Sequence, residues 1–267
     1  MDIGEARGAL PSVLGMLLED PANSAVVCDF DGTLAPIVAD PELAEPAPGT
    51  TALLADLCGR FAVVAVVSGR PAPFLARHLG AAGPALHLFG GYGAEWIEGG
   101  ELVRAPEVEP WAEQVKVVLG ALRDEAPPGL GVEDKGFALA LHWRRAPDVG
   151  GWAQDFAETW SARTGLALQP GRLALELRPP VGPDKGTVMA SLGRGRHAAC
   201  FVGDDAGDLP AFEALERLAG QGVRVVRVAV VDEESPPALI ANADLVVGGP
   251  AEALAVLAAL AAASSTP

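Results

Sequence analysis

The stretch that decides the fold is Ser24 to Ile37, SAVVCDFDGTLAPI. Its first part, Ala25–Cys28, is an unbroken apolar run of the kind buried on both faces of a parallel sheet. It stops on two aspartates two positions apart, Asp29 and Asp31, and then on Gly32–Thr33. A buried strand with acids at its mouth places charge where an open α/β sheet binds ligands, outside the carboxyl ends of its strands.

Further runs of the same type follow: Ala62–Val67, Leu86–Phe89, Ala199–Val202, Val223–Val230 and Leu245–Val247. Helical patterns separate many of them, over Thr50–Leu57, Pro71–Leu79, Pro183–Leu192, Asp208–Leu218, Pro236–Ala241 and Ala251–Ala263. The alternation predicts an α/β fold, a Rossmann-like doubly wound, mostly parallel sheet.

The middle of the chain breaks this rhythm. Trp111, Val115, Leu119 and Leu122 recur at helical spacing. GLGVEDKGFALALHWR then predicts two strands around a turn near Asp134–Gly136, with Phe137, Leu139, Leu141 and Trp143 facing opposite to Ala138, Ala140, His142 and Arg144. A second helix carries Trp152, Phe156 and Trp160, whose spacing is that of a packing stripe. A second hairpin, LALQPGRLALELRP, is predicted to turn at Pro170–Gly171, with Leu173, Leu175 and Leu177 on one face. The order predicts an inserted open-faced α/β domain over 105–181, an antiparallel sheet with two helices on one face. Residues 1–104 and 182–267 then form the core domain, and prolines at 106, 110, 179, 180 and 183 mark the junctions.

Composition bounds the partners. The 267 residues carry a formal net charge of −16, and half of them are apolar. Nucleic acid and anionic membranes both need a basic footprint, so neither is expected as a partner. The apolar content argues against disorder. Cys28, Cys58 and Cys200 are far apart and form no CxxC, which fits small buried thiols in a reducing compartment. The acidic start, MDIGEARGALPSVLGMLLED, is interrupted by Pro11 and is unlike a signal peptide. Ala253–Ala263 is too short to span a bilayer. A soluble, cytoplasmic protein is expected, a monomer or at most a weak dimer.

The strand ends gather more than Asp29 and Asp31. VVSGR adds Ser68, Gly69 and Arg70; FVGDDAGD adds Asp204, Asp205 and Asp208; Lys185 opens the helix leading into that last strand. So many carboxylates in one crevice oppose one another's ionisation, and a hard divalent cation such as Mg²⁺ resolves the conflict. Mg²⁺ with carboxylates and a lysine points to phosphoryl chemistry. Asp29 can act as nucleophile, with Lys185 as a point charge for phosphate and Ser68 as a hydrogen-bond donor. Gly32–Thr33 turns backbone N–H groups toward an anion. Asp31, two residues on, can protonate a leaving alkoxide and then deprotonate the attacking water.

In order, DFDGTLAPI, VVSGR, Lys185 in PDKG, and GDDAGD resemble the four motifs of the haloacid dehalogenase-like phosphatases. GGYGAEW, EDKGFALALHWR and LELRP followed by DKG are similar to the trehalose-6-phosphate phosphatase family, from about Ser24 to Ala214. The resemblance implies a Mg²⁺-dependent phosphatase that hydrolyses trehalose 6-phosphate through an aspartyl-phosphate. It implies catalytic roles for Asp29, Asp31, Ser68 and Lys185, and metal binding by Asp29, Asp31 (through its carbonyl) and Asp204, with Asp205 and Asp208 beside them. It implies substrate contacts from Gly32, Gly69 and Arg70, and from Glu133, Lys135, Arg144 and Glu176 of the inserted domain. Read from the residues alone, those last four are equally ion pairs on the wet face of a sheet. Gly207 and Leu209 stand where the family commonly has Thr and Glu, and Tyr92 where it commonly has His. A phosphatase for another sugar phosphate, a phosphomutase and a non-catalytic sugar-phosphate sensor are the alternative readings. His78, His87 and His197 show no metal-ligand spacing, and the acidic run Asp232–Glu234 reads as solvated.

Overall fold

The computed structural model describes residues 11–38, 43–171, 173–232 and 235–263. The first ten residues of the acidic N-terminal stretch and Glu233 and Glu234 of the acidic run lie outside the described residues. The chain divides into two compact units, Met1–Leu102 with Pro183–Pro267, and Val103–Gly182.

The larger unit is built on β1 (Ser24–Cys28), β2 (Val63–Val67), β3 (Leu86–Gly90), β4 (Glu95–Glu98), β5 (Glu101–Arg104), β10 (Ala198–Gly203), β11 (Arg224–Val231) and β12 (Leu245–Gly248). Their order in the sheet is β12-β11-β10-β1-β2-β3-β4-β5. Pairing is parallel from β12 through β3 and antiparallel between β3 and β4. The sheet thus grows from β1 toward β3, then returns to the other side of β1 with β10. That reversal makes the β1/β10 pair the topological switch point, where a crevice opens beyond the strand ends.

Every residue of β1 is buried because both faces of the sheet are covered. Val26 and Cys28 pack in one apolar cluster with Leu17 of α1 (Gly15–Glu19), Leu54 and Leu57 of α2 (Thr50–Cys58), Leu75 and Leu79 of α3 (Ala72–Leu79) and Leu257 of α9 (Gly249–Ala262). Ala25 and Val27 point the other way, toward Val188 and Met189 of α6 (Lys185–Gly193), Phe212 and Leu215 of α7 (Leu209–Ala219) and Leu239 of α8 (Pro237–Ala241). Each such Val or Leu contributes about 1.5–3 kcal/mol by leaving water. Sequence reading found these elements but not the β4–β5 hairpin. Its signal was present: Gly99 and Gly100, between two apolar-polar runs, both take positive φ, as a tight two-residue hairpin turn requires.

The smaller unit holds an antiparallel sheet in the order β6-β7-β9-β8, from β6 (Gly131–Asp134), β7 (Leu139–His142), β8 (Ala167–Gly171) and β9 (Ala174–Arg178). Leu139, Leu141, Leu175 and Leu177 pack against Val115, Val118 and Leu122 of α4 (Ala112–Glu125) and Ala153, Phe156 and Trp160 of α5 (Gly150–Thr164). The second hairpin departs from the expected turn. β8 continues through Pro170 and Gly171, and Leu173 takes a positive φ of 50° at the reversal, where it is exposed. Leu173 therefore leaves the apolar face expected for it, because a turn residue cannot share the strand's alternation. Ala138 and Ala140 are buried as well, and Ala140 lies between Glu133 and Glu176 on the neighbouring strands.

Candidate active site

Asp29 continues β1 for one more residue: its N–H donates to the Val202 carbonyl at 2.8 Å. Phe30 then turns into the core, fully buried and edge-on to Phe74. The apolar residue between the two acids anchors the turn, and its carbonyl accepts N–H bonds from Leu34 and Ala35 at 2.8 and 2.9 Å. Gly32 has φ +75°, and a Cβ there would lie 2.1 Å from Asp204 Oδ2. The glycine of this turn therefore serves two needs, a left-handed backbone and close approach to a second carboxylate.

Lys185 is presented by the first turn of α6, which Asp184 caps by accepting the Thr187 N–H at 2.7 Å. Its Nζ lies 2.8 Å from Asp29 Oδ1 and 2.6 Å from Asp208 Oδ1. The other oxygen of Asp208 accepts N–H bonds from Asp204 at 2.8 Å and Asp205 at 3.1 Å. Carboxylate oxygens of Asp29, Asp204 and Asp208 all lie within 4.8 Å of one another. These three acids and Lys185 are each at most 5% exposed.

Three buried carboxylates against one ammonium leave the cluster short of positive charge. Burial pushes the Asp29 carboxyl well above its ordinary range; Lys185 pulls it down, and Asp208 and Asp205 push it up. Asp204 is raised likewise, by burial first and then by Asp29, Asp208 and Asp205. Burial also raises Asp208, against the pull of Lys185. Burial alone would lower Lys185, yet Asp208, Asp29 and Asp205 hold it well above the ordinary lysine value. An all-oxygen set that is too negative for its own comfort matches the preference of a hard divalent cation.

The structure thus brings together Asp29, Asp204, Asp208 and Lys185. Asp31 and Asp205 do not join the cluster of convergent carboxylates. Asp31 is gripped by Arg70, whose Nε and Nη2 donate to its two oxygens at 2.7 Å each. Asp205 accepts the Gly207 N–H at 2.8 Å and forms a capping box with Asp208, the helix-cap role that Asp favours. Ser68 is buried, with its Oγ accepting the Arg70 N–H at 3.1 Å. Gly69 packs on Tyr92, where a Cβ would sit 2.7 Å from the ring.

Sequence reasoning gave no role to the Thr33 side chain or to Glu95. Thr33 Oγ1 donates to Asp204 Oδ1 at 3.4 Å. Glu95, buried at the start of β4, accepts the Ala72 N–H at 2.7 Å and so steadies the start of α3 just after Arg70. Its position in GAEW was legible, but its burial was not.

The four residues expected of the inserted domain lie in the smaller unit. Lys135 Nζ and Glu176 Oε2 form a 2.7 Å ion pair with both side chains under a tenth exposed. Glu133 Oε2 lies 3.2 Å from His142 Nε2. Glu133, Ala140, Glu176 and Gln169 are successive cross-strand neighbours, a row across the sheet that is polar at every position but Ala140. Arg144 follows β7 and is half-buried.

Known proteins resemble this chain over most of its length. The trehalose-phosphatase family model matches residues 27–241. A trehalose-phosphate phosphatase of Mycolicibacterium paratuberculosis is 34% identical over 215 residues, which is 76% of this chain and 54% of the relative. One from Mycobacterium leprae is 32% identical over 76% of this chain and 50% of the relative. The chain spans about half the length of the curated relatives it matches. Among solved structures, a trehalose-6-phosphate phosphatase related protein aligns with TM-score 0.75 at 25% identity, over 89% of this chain and 96% of its own. The C-terminal domain of a Candida albicans trehalose-6-phosphate phosphatase shares the fold, with TM-score 0.77 at 23% identity over 96% of this chain and 98% of its own. With a family model covering most of its residues and relatives about a third identical, this chain belongs to the trehalose-phosphatase family.

Proposed function

We propose that this chain is a Mg²⁺-dependent phosphatase that converts trehalose 6-phosphate to trehalose and inorganic phosphate through phosphorylated Asp29. One observation carries the reading: a buried Asp29 carboxylate, paired to Lys185 and within 4.8 Å of two further acids, at the switch point of a doubly wound sheet. Asp29 attacks phosphorus; the bond from phosphorus to the sugar oxygen breaks, and Asp31 gives that oxygen a proton. Water then attacks the phospho-aspartate, Asp31 accepts its proton, and phosphate leaves. Lys185 and Ser68 hold the phosphate oxygens, and the Arg70 fork keeps the Asp31 carboxylate oriented. Asp29, Asp204 and the Asp31 carbonyl would hold Mg²⁺, with Asp205 and Asp208 beside them; bound there, it supplies positive charge to the phosphoryl group.

Trehalose 6-phosphate, rather than another sugar phosphate, is supported by the names of the relatives. The smaller unit is the proposed specificity domain, with Glu133, Lys135, Arg144 and Glu176 meeting the sugar. Carboxylate and ammonium groups are apt partners for vicinal hydroxyls. A cytoplasmic monomer is part of the same reading. Cys28, Cys58 and Cys200 are free thiols, and no helix among the described residues is long and apolar enough to cross a membrane. The net charge of −16 supports a small-molecule partner over nucleic acid.

The test is phosphate release from a panel of phosphorylated sugars, with and without Mg²⁺. The expected result is Mg²⁺-dependent turnover with the highest kcat/KM for trehalose 6-phosphate, abolished in Asp29→Asn while the fold persists. Equal kcat/KM across the panel removes the trehalose assignment, and a fully active Asp29→Asn removes the nucleophile.

A further inference from the structure

Tyr92 sits in a backbone conformation that tyrosine avoids. Its φ and ψ are 61° and 22°, in the left-handed region, and Gly91 and Gly93 on either side have φ of 55° and 105°. Three successive left-handed residues suit glycine throughout, and a bulky side chain in the middle one is strained. Strain of this kind persists where the surrounding structure enforces it, and it concentrates at working sites.

The surroundings show what enforces it. The Tyr92 N–H donates to the Ser68 carbonyl at 2.8 Å, and the Gly91 N–H to the Arg70 carbonyl at 2.9 Å. These bonds tie the segment after β3 to the loop after β2. The hydroxyl end of the ring packs on that loop: a Cβ on Gly69 would meet Cζ at 2.7 Å and the hydroxyl oxygen at 2.8 Å. On its other side it faces the loop after β10, where a Cβ on Gly207 would be 3.6 Å from Cε1, so that a methyl group would just fit between them. Lys185 Nζ stands 6.0 Å from the ring centroid, at the edge of cation–π range. The ring therefore packs on the Ser68–Arg70 loop and faces the Asp204–Asp208 loop, with Lys185 at the edge of cation–π range. Both loops present glycine to it.

We propose that Tyr92 is a positioning residue: its ring is a spacer that sets the separation of the Ser68–Arg70 and Asp204–Asp208 loops, and so the width of the slot that receives the phosphoryl group. The inference rests on the phosphatase reading for its ligand, and deepens it. The ring carbons carry the spacing, since Cζ is the nearest atom at Gly69 and Cε1 is the ring atom near Gly207, whereas the hydroxyl oxygen comes near Gly69 alone. A misplacement of about 1 Å in such a site costs on the order of a hundredfold in rate.

The experiment compares the wild-type chain with Tyr92→Ala, Tyr92→Phe and Gly69→Ala. It measures the Kd of inorganic phosphate by calorimetry in Mg²⁺, KM and kcat on trehalose 6-phosphate, and Tm. The expected result is phosphate affinity weakened about tenfold or more in Tyr92→Ala, with a matching rise in KM and a Tm little changed, and recovery to within about threefold in Tyr92→Phe. Gly69→Ala pushes the ring from its seat and is expected to weaken phosphate by a similar factor; it decides the matter if Tyr92→Ala does not fold. Phosphate affinity within twofold of wild type in Tyr92→Ala, or in Gly69→Ala where that variant decides, overturns the proposal. So does a Tyr92→Phe as impaired as Tyr92→Ala. A wild-type chain that binds phosphate but does not turn over the sugar phosphate removes the phosphatase reading and leaves the phosphate measurement to judge Tyr92 alone.

Discussion

Asp31 and Arg70 face each other as two parallel forks, Nε to Oδ2 and Nη2 to Oδ1, each 2.7 Å long. The pair spans 39 residues of sequence and joins the turn after β1 to the loop after β2. The guanidinium also lies 4.9 Å from the centroid of Phe74, so its plane is held from below as well as from the front. A two-point contact fixes the direction of a carboxylate, which a single charge does not.

Arg70→Lys should therefore be a poor substitute. Lysine keeps the charge but loses the fork and the stacking. The expected outcome is a fall in kcat on the order of tenfold to a hundredfold for both Arg70→Lys and Arg70→Ala, with the fold retained. Steady-state kinetics on the sugar phosphate check it; full activity in Arg70→Lys would show that charge alone suffices.

Lys185→Met tests the charge imbalance of the cluster. The substitution leaves Asp29 and Asp208 buried without their counter-ion, a change that typically costs about 3–5 kcal/mol. Urea unfolding in chelator should show that loss. Added Mg²⁺ should return part of it to Lys185→Met, because ligand bound only to the folded state stabilises by about 2.7 kcal/mol at a hundredfold over Kd. Asp204→Asn should blunt the Mg²⁺ effect in an otherwise wild-type chain.

At the far edge of the large sheet, Arg227 and Asp244 form a second fork. Arg227 Nε donates to Asp244 Oδ2 at 3.0 Å and Nη2 to Oδ1 at 2.9 Å, and the Arg227 N–H also reaches Oδ2 at 2.8 Å. Partial burial works against the Asp244 carboxylate, but the bonds from Arg227 outweigh it and hold its pKa below the usual value. A carboxyl with a depressed folded pKa stabilises the fold above its unfolded value, about 3.9, and that contribution fades as pH falls through the lower folded value. Asp244→Asn should cost up to about 1 kcal/mol near pH 7 once solvent screening is counted. The difference from wild type should shrink below about pH 3.9, as chemical unfolding across pH would reveal.

Much of the architecture follows from local pattern. The Val-rich runs, the helical spacings between them and the prolines near 106 and 180 are enough to predict a doubly wound sheet interrupted by an antiparallel one. The hairpin of β4 and β5 is missed because its strands, on the sheet edge, carry Glu95, Glu98 and Glu101 among their apolar residues. The turn at Leu173 is missed because Pro170–Gly171 is the stronger local signal, although the strand pairing carries it through.

By itself, the sequence determined the period of each element and put an acid or a hydroxyl at the end of each central strand, because those patterns are properties of adjacent residues. Only the tertiary structure decided which acids meet. β1 and β10 lie some 170 residues apart in the chain, and their parallel register, Cys28 beside Val202, sets Asp29 next to Asp204. The same packing turns Asp31 to Arg70 and Asp205 to its helix cap, since each carboxylate goes to the nearest donor the fold presents. Convergence of charge depends on distances through space, and no spacing along the chain encodes them.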